Sequence, residues 1–367
     1  MNIAILGARG IPARYGGFDT LVEELAIRLV DNYNFKVTVY CRSNYYKDRQ
    51  KYYKGVRCVY IHALRIKGIE SLLHTFITAL HALKGKYDIF FIVDPGNAPV
   101  GIFLKLLGKK VVIHTDGLGW KRRKWGRLSR RYYKWVEFLC AKYIKTIVTD
   151  NPVMREYYLE NYHRDSVCIA YGAENTSGFD DTVLDKYGLK KKQYLLVVAR
   201  LERENNTDLI IREYVSSGVH MPLVIVGDAP YDSAYMDMLK GLANEKVIFA
   251  GRIDDQAGLN SLYRWAYLYL HGHEVGGTNP SLLRAMALEA TPLIINVPFN
   301  VSVIDGCGFV FDADIGNLSR TLQELISNPE LVKEKSHMAA KRMQDYFTWD
   351  MVVSAYRDYF EEIMATL

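Results

Sequence analysis

The chain is 367 residues long, 49% hydrophobic and 24% charged, the composition of a soluble globular protein with room for two domains. Its net charge of +6 is modest, and five scattered cysteines without CxxC spacing argue for free thiols in a reducing compartment, against a disulfide framework or a zinc site. Met1 leads straight into a strand with no basic or apolar leader, and no apolar run approaches the roughly 20 residues of a spanning helix. A cytoplasmic protein whose membrane contact is peripheral is therefore expected.

Residues 2–6 read as a buried strand that breaks into GARGIPARYGG, and from Phe18 the apolar Leu21, Val22, Leu25, Ile27 and Leu29 recur at helical spacing. Asp19, Glu23 and Glu24 suit the first turns of that helix. Gly7 and Gly10 superficially suggest a dinucleotide fingerprint, but the G-x-G-x-x-G spacing fails. The loop reads instead as two glycine turns, closed by Gly16 and Gly17, that line a cleft with Arg9 and Arg14 toward an anionic ligand; simply solvated arginines are the alternative.

Strands are expected at 36–41, 57–61, 88–93 and 111–114, with helices at 69–83 and 100–107 between them. In the first of these helices Leu72, Leu73, Phe76, Leu80 and Leu83 share one face. Such alternation predicts a parallel sheet covered on both faces, whose ligands sit at the carboxyl ends of the strands. His114, Thr115 and Asp116 fall at one such end, so Asp116 is a candidate base or acceptor-orienting group, or else a plain turn cap.

Residues 121–145 (KRRKWGRLSRRYYKWVEFLCAKYIK) are the charge anomaly. Leu128, Tyr132, Trp135, Val136, Leu139 and Cys140 form a continuous apolar helical face, and basic residues crowd the first half. Basic residues interleaved with aromatics suit an anionic membrane surface, and a core helix with a basic outer face is the bland alternative. No nucleic-acid module accompanies them, so a nucleic-acid partner is not expected. A strand at 144–149, a helix from DNPVMREYY and a strand at 166–170 finish this half, with a polar connector near 172–188.

The second half repeats the logic, with strands at 194–198, 223–226, 247–249, 267–270, 293–295 and 309–311. Arg200 follows the first of them, where a guanidinium can hold a diphosphate bidentately. VGDAP and AGRIDD are further strand-end turns on that side, which makes Gly227, Arg252 and Ile253 donor-site candidates. The richest stretch is HGHEVGGTNPSLLRAMA, residues 271–287. Paired Gly276 and Gly277 admit a ligand to the backbone, Thr278 or Asn279 caps a helix, and Pro280 suits its first turn. A helix N-terminus offers N–H groups to an anion, and Glu274 offers acceptors to hydroxyls. Together they describe a nucleotide-sugar site.

This constellation resembles the GT-B fold of glycosyltransferase family 4, the retaining enzymes, over essentially the whole chain. GARGIPARYGGFDTLVEEL, DGLGWKRRKW and HGHEVGGTNPSLLRAMA are similar, in order, to three motifs of the bacterial rhamnosyltransferases that start polysaccharide repeat units. The resemblance implies an α/β protein of two Rossmann-like parallel-sheet domains facing across a cleft. Residues 1–175 would bind the acceptor, 176–345 the donor, and 346–367 would pack back on the first domain.

It also implies a dTDP-L-rhamnose donor, a lipid-pyrophosphate-linked saccharide acceptor at the inner face of the plasma membrane, and transfer without a metal or other cofactor. Arg200 and the backbone around Gly276, Gly277, Thr278 and Asn279 would stabilise the leaving diphosphate, with Asn205, Ser281 and Arg284 in the same site. Glu274 would contact the donor sugar or pyrophosphate, and Asp116 the acceptor hydroxyl. Gly16 and Gly17 would let the first loop close on the diphosphate. Arg14, Tyr15, Trp120, Lys121, Arg122, Arg123 and Trp125 would form the acceptor and membrane-facing edge.

Two positions depart from the family pattern. Arg284 stands where a ribose-binding glutamate is usual, and Asn205 where a lysine is common outside the rhamnosyl subgroup. Three readings follow: a retaining rhamnosyltransferase, the same enzyme with another nucleotide sugar (UDP- or GDP-linked), or a non-catalytic partner subunit. A nucleotide-sugar dehydrogenase or epimerase lacks both its glycine spacing and a Tyr-x-x-x-Lys helix.

Overall fold

Short β-branched runs buried on both faces become parallel strands, and the segments between them become the covering helices. The computed structural model describes residues 1–14, 16–64, 66, 68–122, 126–174, 178–229 and 233–366. They fold as two units, residues 1–172 with 349–367, and residues 173–348. The division falls at 172/173 and 348/349, against the expected 175/176 and 345/346. Trp349 lies on Gly172, where a Cβ would meet its ring at 2.6 Å, and the Ala173 N–H donates to the Phe347 carbonyl at 2.8 Å.

The first unit runs β1 (Asn2–Leu6), α1 (Gly17–Tyr33), β2 (Lys36–Arg42), β3 (Tyr52–Tyr53), β4 (Val56–Ile61), α2 (Glu70–Ala82), β5 (Ile89–Val93) and α3 (Ala98–Leu106). It continues through β6 (Val111–Thr115), α4 (Arg127–Tyr143), β7 (Ile147–Thr149), α5 (Pro152–Tyr162) and β8 (Val167–Cys168). The strand order is β3-β4-β2-β1-β5-β6-β7-β8, parallel throughout except for the unexpected edge hairpin of β3 on β4. Successive strands run outward in opposite directions from β1 and β5, so the topological switch lies between those two.

The second unit holds α6 (Thr182–Lys186), β9 (Leu195–Val198), α7 (Thr207–Ser217), β10 (Leu223–Val226), α8 (Ser233–Leu242), β11 (Val247–Gly251) and α9 (Gln256–Arg264). It continues with β12 (Leu268–His271), α10 (Pro280–Ala287), β13 (Thr291–Ile295), α11 (Pro298–Ile304), β14 (Phe309–Phe311), α12 (Asn317–Ile326) and α13 (Pro329–Tyr346). Its all-parallel order, β11-β10-β9-β12-β13-β14, places the switch between β9 and β12.

The last helix, α14 (Trp349–Thr366), belongs to the first unit. Tyr356 and Phe360 pack edge-on against Phe91 of β5, at 5.5 and 5.7 Å between ring centroids. The Tyr356 hydroxyl meets Nδ1 of His114 at 2.7 Å, and Lys110 Nζ donates to the carbonyls of Ile363 and Met364 at the helix end. His114 is therefore fully buried core, and burial lowers its pKa to about 3, so the ring is neutral.

Two helical faces differ from expectation. In α2 the apolar stripe exists but is not the buried face: His74, Thr75 and Thr78 are fully buried, while Phe76 and Leu80 are 38% and 43% exposed. Thr75 Oγ1 donates to the Ser71 carbonyl at 2.8 Å and Thr78 Oγ1 to that of Thr75 at 2.9 Å, so these hydroxyls enter the core already satisfied. In α4 the buried residues are Val136, Glu137, Cys140 and Ala141, whereas Leu128 and Trp135 are exposed by 81% and 54%. Glu137 is tolerated inside because Tyr157 and Tyr162 donate to it at 2.7 and 2.6 Å.

All five cysteines are free, and among the described residues no helix is long and apolar enough to cross a membrane. Tyr356→Phe would leave His114 Nδ1 buried without its partner. It is expected to cost about 1–3 kcal/mol, read as a lower urea midpoint with an unchanged slope.

Candidate active site

In the second unit the strand-end loops at the switch are fastened to each other. The Glu274 N–H donates to the Glu204 carbonyl at 3.0 Å, and Asn206 Nδ2 donates to the Gly272 carbonyl at 2.9 Å. A Cβ on Gly272 would sit 2.5 Å from the Asn205 carbonyl oxygen, so the two loops approach as closely as glycine allows. Asn205 is buried and donates through Nδ2 to the Arg200 carbonyl at 2.7 Å. It thus shapes the loop that carries Arg200, whose guanidinium lies 3.7 Å from Glu202 Oε1.

The turn from β12 into α10 forms as its residue types dictate. Asn279 is the N-cap: its Oδ1 accepts from Ser281 N at 3.1 Å and from Ser281 Oγ at 2.8 Å, with Pro280 in the first turn. The buried Tyr269 donates to Ser281 Oγ at 2.8 Å and lies 3.1 Å from His271 Nδ1, so the cap is locked from inside the sheet. His271 is fully buried and neutral, with its pKa lowered to about 3 by burial, and its ring stacks on that of His273 at 4.2 Å. Gly276 takes φ 154°, and a Cβ there would meet nothing within 4 Å. His273, Glu274, Val275, Gly276, Gly277 and Asn279, with Phe299 and Asn300, line a narrow depression. Thr278 is buried.

The other donor-site candidates lie further out. Gly227 follows β10, at φ 143°, where a Cβ would fall 1.8 Å from the Ala199 carbonyl oxygen, one residue before Arg200. Arg252, after β11, bonds Asp254 Oδ1 at 2.7 Å, and Ile253 is half-buried beside it. Arg284 does not turn toward the Gly276 turn. Its Nε donates to Asn260 Oδ1 at 3.0 Å and its Nη1 to Gln256 Oε1 at 2.9 Å, both on α9.

In the first unit the glycine loop is pinned by carboxylates of α1. Asp19 Oδ1 accepts from Arg9 N at 2.9 Å, and Glu23 Oε2 accepts from Ala13 N. Arg42, nearly buried, donates to Ser71 Oγ at 2.9 Å and to the Gly7 carbonyl at 3.4 Å. Arg14 is exposed and lies 5.0 Å over the Tyr46 ring; Gly16 stands in open space at φ 114°, and Gly17 begins α1. Tyr15, Arg123 and Trp125 lie outside the described residues.

Asp116 is half-buried just past β6, Trp120 has the ammonium groups of Lys121 and Lys134 over its ring at 5.6 and 5.1 Å, and Arg122 is half-buried. One residue not singled out from the sequence also stands here. Asp94, at the carboxyl end of β5, takes φ 73° and accepts from Gly96 N at 2.8 Å. Burial raises its pKa, against the pull of the Gly96 N–H and the Arg122 charge. Its signal in the sequence was a strand end followed by Pro-Gly, and a backbone held at positive φ is a feature that clusters at working sites.

Arg200, Glu274 and the Gly276 turn stand at the carboxyl ends of the switch strands of the second unit, and the glycine loop and Asp94 at those of the first, where such sheets bind ligands; Asp116, Gly227 and Arg252 follow strands further out. Residues 180–343 match the family of glycosyl transferases group 1, and residues 1–174 match a domain of unknown function, DUF1972. The chain carries a group 1 glycosyltransferase domain.

Solved structures agree on the fold. A sucrose-phosphate synthase from Thermosynechococcus elongatus is 15% identical, superposes with a TM-score of 0.83, and the match covers 100% of both chains. A glycosyltransferase from Rickettsia africae ESF-5 gives 14% and 0.74, covering 100% of this chain and 99% of that one. Anabaena HepE, solved with UDP-glucose, gives 13% and 0.77 over 100% of both. Identities this low show the fold alone, and it is GT-B. No curated protein sequence matches the chain. Fold and domain together make this a glycosyltransferase of the group 1 type.

Two variants probe the loops of this enzyme. Burial raises Asp19 from 3.8 to about 6, so the folded state holds that proton more tightly than the unfolded chain. Stability from this group is complete below about pH 4 and is lost as pH rises through about 6. Asp19→Asn keeps the neutral shape and is expected to flatten that decline, adding up to about 3 kcal/mol at pH 7; parallel melting curves from pH 4 to 7 would expose an unchanged slope if this is wrong. Gly227→Ala must displace the Ala199 carbonyl and is expected to lose about 1–3 kcal/mol, seen as a lower Tm together with weaker nucleotide binding.

Proposed function

We propose that the protein is a retaining rhamnosyltransferase that moves L-rhamnose from dTDP-L-rhamnose to a hydroxyl of a lipid-pyrophosphate-linked saccharide. The reaction takes place at the cytoplasmic face of the plasma membrane, with the protein peripherally bound, and uses no metal ion. The observation that carries this reading is the locked turn between β12 and α10 fastened to the Arg200 loop, because it supplies the charge stabilisation a departing diphosphate needs. The bond from the anomeric carbon to the diphosphate breaks and the electron pair leaves with dTDP. Arg200 and the first N–H groups of α10 take up that charge, as fixed dipoles that need no reorganisation. Glu274 accepts hydrogen bonds from sugar hydroxyls. The first unit engages the acceptor, with Asp116 orienting the attacking hydroxyl or taking its proton.

The exposed basic and aromatic surface of α4 supports a lipid-linked acceptor over a soluble one. Support for the rhamnosyl donor is the order of the three motifs. A second reading, the same chemistry with a UDP-sugar, is favoured by the Anabaena protein, whose structures hold UDP and UDP-glucose. The engagement of Arg284 with α9 leaves the ribose to be held without the usual carboxylate, a demand common to both donors.

A thermal-shift panel with dTDP-rhamnose, dTDP, UDP-glucose, UDP-GlcNAc and GDP-sugars separates these readings. A ligand at 100 times its Kd adds about 2.7 kcal/mol. Stabilisation by dTDP species alone, lost in Arg200→Ala, is expected. A preference for UDP or GDP keeps the enzyme and replaces the donor. Silence across the panel removes the donor site and brings the non-catalytic subunit forward.

A further inference from the structure

The surface of the first unit between residues 62 and 145 is one-sided in charge. Among the described residues of that stretch, ten exposed side chains are lysine or arginine and no exposed residue is aspartate or glutamate. Large apolar groups stand exposed among them. Phe76 (38%) and Leu80 (43%) project from α2, Leu106 (81%) from α3, and Leu128 (81%), Trp135 (54%) and Phe138 (44%) from α4.

Topology places these groups on one side. The crossovers β4→β5, β5→β6 and β6→β7 run in the same direction across the sheet, so their helices α2, α3 and α4 lie side by side on one face; α1, whose crossover runs the other way, lies on the opposite face. Phe76 and Phe103 join α2 to α3 at 5.4 Å between rings, and Lys105 Nζ of α3 donates to the Tyr143 carbonyl of α4 at 2.6 Å. Where α2 leaves Phe76 and Leu80 outward and turns its threonines inward, the helix is patterned for a second, apolar environment beyond the sheet. Lys142 lies 5.6 Å over the Phe138 ring and 5.2 Å over that of Tyr143, with its ammonium at the rim of the apolar surface.

We propose that the outer face of α2, α3 and α4 docks on an anionic bilayer. Leu106 and Leu128 reach the boundary of the acyl chains, and the lysines and arginines sit among the head groups. This rests on the lipid-linked acceptor reading and widens the membrane edge from residues 121–145 to three helices. Charge selects the occupant. A second copy of the chain would set like charge against like charge, and a nucleic acid would leave the leucines facing water.

The test is co-sedimentation of the full chain with phosphatidylcholine vesicles containing or lacking 30% phosphatidylglycerol, at low and high salt. Binding to the anionic vesicles is expected, falling about tenfold or more without phosphatidylglycerol or in high salt. Leu80→Asp, Leu106→Asp and Leu128→Asp should each weaken binding severalfold with unchanged melting, and Ile315→Asp, 95% exposed in the other unit, should leave it unchanged. Equal binding to both vesicle types overturns the proposal. So does loss confined to Leu128→Asp, or a concentration-dependent dimer that Leu106→Asp dissolves. Because the readout is vesicle binding, retained binding with no nucleotide-induced shift would defeat the donor assignment and leave this face standing.

Discussion

A right-handed crossover can carry a chain in only one direction along a given face of a parallel sheet. A sheet that begins near its middle must therefore reverse once, and at that reversal two adjacent strands send their loops to opposite faces. In the second unit the reversal separates β9 from β12 and opens the ground on which Arg200 and Glu274 stand. In the first it separates β1 from β5, and the glycine loop and Asp94 take the corresponding places. What the sequence adds is how to hold such loops without a strand between them. A backbone bond, an Asn206 side-chain bond and a glycine contact fasten 204–206 to 272–274, and two carboxylates of α1 fasten 9–13. The same rule lays α2, α3 and α4 together, so one topological constraint sets both the ligand end and the outer face.

How much of this was legible in the sequence depends on whether the cause was local. Asn279 capping α10 with Pro280 behind it needs only the preferences of those two residues, and the structure has both as expected. The strands were legible as apolar runs, and the GT-B fold through motif order, which the solved structures bear out. The direction of a helical stripe was not legible. Periodicity locates the stripe of α2, but whether it faces the sheet depends on whether the opposite side can be buried at low cost. Thr75 and Thr78 meet that condition by bonding their own helix. Glu137 does the same for α4, but only because Tyr157 and Tyr162 arrive from residues far along the chain. Asp94 escaped notice because its positive φ is a tertiary fact.

Arg284 shows how a departure from a family pattern can be absorbed. A carboxylate at that position could not donate to Asn260 and Gln256 of α9, whereas the guanidinium bonds both and lies 5.6 Å from the Tyr263 ring. The change thus strengthens the seam between α9 and α10, the two helices that flank β12. In the proposed donor site, a helix whose N-terminal groups face a diphosphate gains from rigidity, since looseness dilutes a preorganised dipole.

The charge of the molecule belongs to the same economy. Residues 62–145 hold 17 lysines and arginines against 5 aspartates and glutamates, which leaves 30 basic against 36 acidic residues in the rest of the chain. The net charge of +6 is therefore not spread evenly along the chain, because residues 62–145 carry more than all of it and the remainder is slightly acidic. A charge distributed in this way gives a protein a strong orientation in the field of an anionic surface, within a Debye length of about 8 Å. For the lipid-linked acceptor proposed above, orientation would matter more than affinity, since an encounter in the wrong attitude would present no site to the lipid. In the proposed docking, the leucines at 81% exposure would act only after the basic groups have brought the face down. Charge chooses the attitude and apolar burial prolongs it.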